Sequence, residues 1–204
     1  RMLAWGILGD EGRALAEVAK NDKNKQRRES AVKNIDDEEI LTDIAINAKD
    51  KRTQGLALNK IEKENNFRKI ALESKNRTIV LNALDKIEKD DETLFKDIAE
   101  NNPDKNVRTE AINRITDINT LRSIAKNDEN DKVRAYAMGK IPTENQDLIK
   151  DIALNTKDKD IKIIAMEKLE DQNTIAQILK ESDDKSIHTT AVGKITDPKI
   201  LEDL

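Results

Sequence analysis

Two stretches decide the fold: Asp104-Lys105-Asn106-Val107-Arg108-Thr109-Glu110-Ala111-Ile112-Asn113-Arg114-Ile115 and Asn130-Asp131-Lys132-Val133-Arg134-Ala135-Tyr136-Ala137-Met138-Gly139-Lys140-Ile141. Taking the alanines Ala111 and Ala137 as zero, apolar residues stand at −4, zero, +1 and +4 in both. At about 100° per residue these positions gather on one face roughly 140° wide, which specifies an amphipathic helix and not a strand. The residue seven before each alanine, Asp104 or Asn130, has the short acceptor side chain that caps a free amide of a first helical turn.

Outward from these stretches the pattern repeats. The zero alanines are Ala31, Ala57, Ala83, Ala111, Ala137, Ala165 and Ala191. Twelve residues before each ends an aliphatic-Ala pair: Val18-Ala19, Ile44-Ala45, Ile70-Ala71, Ile98-Ala99, Ile124-Ala125 and Ile152-Ala153, with Ile178-Leu179 as the seventh variant. The period is 26 residues in four steps and 28 in two, and both insertions fall between units. The capping position reads Asn24, Asp50, Asn76, Asp104, Asn130, Asp158 and Asp184. Two residues after the pair comes Asn21, Asn47, Asn101, Asn127 or Asn155, with Glu73 and Glu181 as exceptions; asparagine there predicts a helix stop in the left-handed conformation. Each unit therefore reads as a helix of about nine residues, a turn, and a helix of about eleven. Such a pair cannot bury its stripe alone, so neighbours must stack.

Stacking reconciles this pattern with a composition of 38% charged and 36% hydrophobic residues in 204, which taken alone would permit disorder. The chain has no cysteine and one histidine. That removes disulfides, thiol nucleophiles, cysteine metal sites and any site needing two imidazoles. No apolar run reaches the ~20 residues of a membrane span, and a net charge of −4 gives no global pull toward nucleic acid or anionic lipid. The chain begins with Arg1, and both ends read as cut. Met2 to Leu8 resembles the second helix of an earlier unit, with Trp5 in the place of Met138, and Asp197-Pro198 opens a further first helix. The expected division is a partial repeat at 1–12, full repeats over about 13–195 and a truncated repeat at 196–204.

The pieces Val107-Arg108-Thr109-Glu110-Ala111 and Val133-Arg134-Ala135-Tyr136-Ala137 resemble the HEAT-repeat superfamily, in particular its short class of about 26 residues found in prokaryotic proteins. The resemblance spans essentially the whole chain. It is best in units four to seven, where Ile161-Lys162 and Ile187-His188 replace the Val-Arg pair, and poorer where Arg27-Arg28, Thr53-Gln54 and Ile79-Val80 stand. It implies an all-α, right-handed α-solenoid of about seven stacked helix-turn-helix repeats. It also implies that the second helices line a concave surface, that the protein holds another macromolecule, and that the arginine register bonds to the turn aspartates, here Asp104, Asp158 and Asp184.

Three features compete as functional elements. A basic ladder stands three residues after the alanines: Lys60, Lys86, Arg114, Lys140, Lys168 and Lys194, broken by Asn34. It could track an anionic polymer, but cations near helix C-termini are favoured in any case. Acidic followers such as Glu62, Glu88, Glu170 and Asp171 are placed to neutralise the rungs. Rungs ~10 Å apart also exceed the ~8 Å screening length. The second feature, Arg28, Arg108, Arg134, Lys162 and His188, falls within the apolar stripe and reads as structural linkage. The third is a set of apolar residues on the side that should be polar: Leu56, Leu81, Tyr136, Ile163 and Ile164. Tyr136 and Ile163-Ile164 lie in adjacent units and could form one exposed patch, the kind that marks a partner surface.

Other chemistry is thin. Gly6, Gly9 and Gly12 are evenly spaced but lack the strand a phosphate loop requires. Asp36-Asp37 and Asp90-Asp91 fit helix starts better than a general acid and base. No stretch matches a calcium-binding loop. The expectation is a non-enzymatic scaffold with no cofactor, no metal and no catalytic residue, binding a protein or peptide on the concave side through Tyr136, Ile163, Ile164, Leu56 and Leu81. The rival readings are nucleic-acid binding, since some HEAT-like proteins are DNA glycosylases, and a spacer within a larger surface protein. The acidic balance places nucleic acid second. Lack of cysteine suits cytosol and cell exterior equally, with cytoplasm the default expectation.

Overall fold

The computed structural model describes residues 2–88 and 91–203, with side chains from residue 11 onward. Among them are fifteen helices and no strand. The chain divides into two compact units, residues 1–94 and 95–204.

In the first unit the helices are α1 (Met2–Asn21), α2 (Lys25–Lys33), α3 (Glu38–Asn47), α4 (Lys51–Leu58), α5 (Glu64–Glu73) and α6 (Arg77–Leu84). They pair in chain order, α1 with α2, α3 with α4 and α5 with α6. First helices pack on first helices (α1, α3, α5) and second on second (α2, α4, α6). Apolar residues from both layers fill the space between, among them Leu41, Ile44, Leu58, Phe67, Ile70 and Leu84. Gly12 permits the approach of α1 to α3, since a Cβ there would lie 2.9 Å from Ile40 Cδ1.

In the second unit follow α8 (Lys105–Ile112), α9 (Ile118–Asn127), α10 (Asp131–Lys140), α11 (Gln146–Asn155), α12 (Lys159–Lys168), α13 (Gln172–Lys180), α14 (Lys185–Lys194) and α15 (Pro198–Glu202). The helix before them, α7 (Glu92–Asn101), holds the boundary between the units. Here α9 pairs with α10, α11 with α12 and α13 with α14, while α8, α10, α12 and α14 form the layer of second helices.

Local chemistry explains the boundaries. All seven predicted caps, from Asn24 to Asp184, accept an amide of the following turn. First helices are capped likewise by Asp37, Asp117 and Asp171, and Asp197 opens α15 as expected. The expectation of left-handed asparagine stops is corrected: no described non-glycine residue has positive φ. Asn21, Asn47, Asn101 and Asn155 instead stay helical and donate from Nδ2 to the acid four residues earlier, Glu17, Asp43, Asp97 or Asp151, at 2.7–3.0 Å. After α3, α5 and α11 the turn is made by an extended residue, Ala48, Ser74 or Thr156, whose N–H still bonds the carbonyl four back. Second helices run eight to ten residues, shorter than expected. Met2–Leu8, read as the second helix of an earlier unit, lies in α1, which runs unbroken from Met2 to Asn21 with no turn between it and the first helix that follows. The comparison of Trp5 with Met138, and the readings of Gly6, Gly9 and Asp90, fall outside the described side chains.

Candidate functional site

The layer of second helices carries the candidate residues, and its charged groups must be accounted for first. In the arginine register four rungs turn back to the carbonyl six residues earlier. Arg28 Nη1 donates to Asp22 O at 2.8 Å, Arg108 to Asn102 O at 2.9 Å and Arg134 to Asp128 O at 2.9 Å. His188 Nε2 meets Ser182 O in the same way. The arginines then reach forward to a carboxylate of the next repeat. Arg134 pairs with Asp158 through Nε at 3.0 Å and Nη2, and Arg28 lies 3.6 Å from Asp50. Where the next cap is the neutral Asn130, Arg108 takes Asp128 instead, at 2.8 and 3.0 Å. Arg108 is 3% exposed, so this bidentate pair is the most enclosed charge contact of the set.

Sequence reasoning named Asp104, Asp158 and Asp184 as partners for this register; Asp158 is met by Arg134, and Asp184 is corrected. Asp104 caps α8, Arg108 reaches Asp128, and Asp184 pairs with Lys159 at 3.1 Å. The missed rung is Gln54, which donates to Ile46 O at 3.1 Å and accepts from the Asn76 cap at 2.6 Å. There a neutral pair replaces the charged one, a signal that lay in the joint change of Gln54 and Asn76 away from Arg and Asp.

Part of the basic ladder is likewise absorbed, though by other partners than expected. Lys60 Nζ donates to the carbonyls of Val32, Lys33 and Ile35 at 3.3, 2.9 and 2.5 Å. Lys168 reaches Ile141 O at 2.8 Å, and Lys194 reaches Glu167 O. Each caps the C-terminal end of the preceding second helix rather than its own, because position +3 lies on the side turned to that repeat. Bare C-terminal carbonyls carry partial negative charge, so the cation is favoured there. The acid beside Lys60 is Asp36 at 3.4 Å, and Asp171 serves Lys150 at 2.9 Å, so the expected neutralisation by following acids is not what these pairs show. Arg114 bonds Glu110 of its own helix and stands 5.5 Å over the ring of Phe95. Lys86 and Lys140 are exposed.

A third set of bonds stitches the loops. Glu38 accepts from Lys63 N and Asn66 Nδ2, Gln146 accepts from Glu170 N, and Gln172 accepts from Thr196 N and Asp197 N, all at 2.8–3.0 Å. Burial raises the Asp158 carboxyl, yet Arg134 and the amide of Ile161 outweigh it and hold it below the ordinary range. The Thr174 hydroxyl and Lys150 bring Asp171 down to about 2.

What stays open is apolar. Tyr136 on α10 is 37% exposed, and its hydroxyl donates to Asn113 Oδ1 beyond the end of α8. Ile163 and Ile164 on α12 are half-buried, and α12 packs directly on α10. Gly139 also lies on α10, and a Cβ there would meet nothing within 4 Å. In the first unit Leu56 on α4 and Leu81 on α6 are also half-buried. Leu72, half exposed on α5, was not foreseen, and a single exposed aliphatic is ordinary. The cleft beside Arg134 and Asp158, about 380 Å³, is open to solvent and its two charges already satisfy each other.

No His/Cys/Asp/Glu group suited to a metal occurs among the described residues, and no described helix is long and apolar enough to cross a membrane. No protein-family model matches the chain, and no curated protein matches it.

Proposed function

We propose that this chain is a HEAT-like interaction scaffold, a right-handed α-solenoid of about seven repeats, without catalytic activity or cofactor. Its partner is a protein or peptide held against the second helices, with Tyr136, Ile163 and Ile164 at the centre of contact and Leu56 and Leu81 further along. The observation that carries this reading is the exposed Tyr136 on α10 together with the half-buried Ile163-Ile164 pair on α12, the helix that packs on it. Aromatic and aliphatic anchors of this kind dominate contact energies. Against nucleic acid stands the use of Lys60, Lys168 and Lys194 as caps on main-chain carbonyls, which leaves few rungs to neutralise phosphates. The test is capture from the native cell with the wild-type chain and with Tyr136→Ala and Ile164→Asp. Loss of one partner in both variants, with unchanged helicity, supports the reading; undiminished capture defeats it.

A further inference from the structure

Four positions, −5, −2, −1 and +2 from the zero alanine, make up the side of each second helix turned away from the core, within about 100° of one another. On α10 they are Lys132, Ala135, Tyr136 and Gly139, and on α12 they are Asp160, Ile163, Ile164 and Glu167. The two helices pack on each other, so a cationic row with an aromatic centre runs beside an acidic row with an aliphatic centre. Lys140, one position further on α10, lengthens the cationic row. Within the second unit this pattern is confined to one helix pair. On α8 and α14 the same positions hold Asn, Ser, Thr and Gly, apart from Glu110, which Arg114 holds.

The charges of both rows are free. Lys132, Lys140, Asp160 and Glu167 are exposed, and none of their side chains is paired among the described residues. Asp131, beside Lys132, accepts that residue's own amide at 2.8 Å. Lys140 departs from Lys168 and Lys194, whose ammonium groups donate to carbonyls of the preceding repeat. Asp160 departs from its counterpart Arg52, which reaches back to Glu29 on the preceding second helix at 2.6 Å. The place of Glu29 is taken on α10 by Ala135, which offers no charge. The floor between the rows is open as well. Tyr136 bonds back to Asn113, and the residue in that place ahead of Ile164 is Gly139, where a Cβ would meet nothing within 4 Å.

Resting on the reading of Tyr136, Ile163 and Ile164 as a partner surface, we propose that its occupant is an amphipathic helix laid along the groove between α10 and α12. That helix brings an apolar stripe to the line of Tyr136 and Ile164. It carries acidic residues on the flank over α10 and basic residues on the flank over α12. Lys132 and Lys140 are eight residues apart, and Asp160 and Glu167 seven, about 10–12 Å along a helix. The complementary charges therefore recur two turns apart on each flank, at i and i+7 or i+8. An apolar seam bordered by charges is what selects a helical partner in coiled coils. A partner of uniform charge, nucleic acid included, meets repulsion from one row whichever way it lies.

The test pans a display library of helical peptides of about 20 residues, with the apolar stripe fixed and both flanks randomised, against the full chain. Wild type should enrich peptides with acids on one flank and bases on the other. Asp160→Lys with Glu167→Lys should turn the selection to acids on both flanks, and Lys132→Glu with Lys140→Glu to bases on both. The peptide best enriched by wild type should bind each double variant about tenfold more weakly. All four positions are exposed, and circular dichroism checks that helicity is retained. Lys140→Glu and Glu167→Lys, each alone and far from the helix starts, repeat the comparison if a double variant loses helicity. Flank charges that do not follow the variants overturn the proposal; if those peptides are lost in Tyr136→Ala, the partner surface itself stands. Absence of any enrichment overturns the proposal too, and native capture by the Tyr136 and Ile164 variants then judges the surface separately. Peptides that Tyr136→Ala retains refute the surface itself. Sedimentation that changes with concentration and reverts in Tyr136→Ala gives the groove to a second copy and overturns the proposal equally.

Discussion

Removing the Asp128 carboxylate tests whether inter-repeat arginine links hold the second unit together. The side chains of Arg108 and Asp128 are 4% and 5% exposed, and their two contacts are 2.8 and 3.0 Å long. Asp128→Ala would leave a buried guanidinium with the carbonyls of Asn102 and Pro103 and, at 3.5 Å, the 83% exposed carboxylate of Glu129, which solvent screens. Stripping one partner from such a pair costs about 3–5 kcal/mol. Arg108→Met with Asp128→Ala should recover much of that, because no uncompensated charge remains, giving a coupling energy of about 2 kcal/mol or more. The internal control is Asp151→Ala, which breaks pairs with Arg122 and Lys126 at 2.6 and 3.0 Å whose side chains are 35–44% exposed. It should cost only about 0.2–1 kcal/mol. Urea unfolding followed by circular dichroism measures five proteins (wild type, Asp128→Ala, Arg108→Met, their double variant and Asp151→Ala), with slopes compared to check that cooperativity is retained. A loss below ~1 kcal/mol for Asp128→Ala, or equal losses for Asp128 and Asp151, would refute the reasoning.

Further outcomes follow from the same contacts. Gly55→Ala and Gly139→Ala should each stabilise by about 0.5–1 kcal/mol, since their Cβ would meet nothing within 4 Å. Gly12→Ala should gain less or lose, because its Cβ would press on Ile40 Cδ1; thermal melts decide. Lys60→Met should cost about 1 kcal/mol through the uncapped end of α2, whereas Lys86→Met should be near neutral in the same denaturation assay. Asp171 sits near 2 when folded against ~3.9 unfolded. Its contribution is therefore fully present above about pH 4 and fades as pH falls toward 2. Urea midpoints from pH 7 downward should drop in that window, and Asp171→Asn should flatten the decline.

Much of the architecture was legible because it depends on periodicity. The aliphatic-Ala pairs and zero alanines located both helix layers, and the Asp/Asn caps located the starts of the second helices, since a short acceptor acts on amides two or three residues away. The asparagine stops were misread because the competing bond, Nδ2 to an acid one turn back, satisfies the side chain without a left-handed backbone. The partners of Arg108 and Lys60 were misassigned for a different reason. Both lie about one repeat away, and which carboxylate or carbonyl falls within 3 Å depends on how neighbouring helices are offset.

By itself the sequence determined that the chain is helical, paired and stacked, because local hydrogen bonding and a fixed apolar stripe leave no other way to bury so few apolar residues. Only the tertiary structure decided which charges are consumed in stitching one repeat to the next and which apolar side chains remain uncovered. Lys60 looks like a surface charge in one dimension and becomes structural once the neighbouring helix brings carbonyls to it. Burial is a property of neighbours, and neighbours are set by packing.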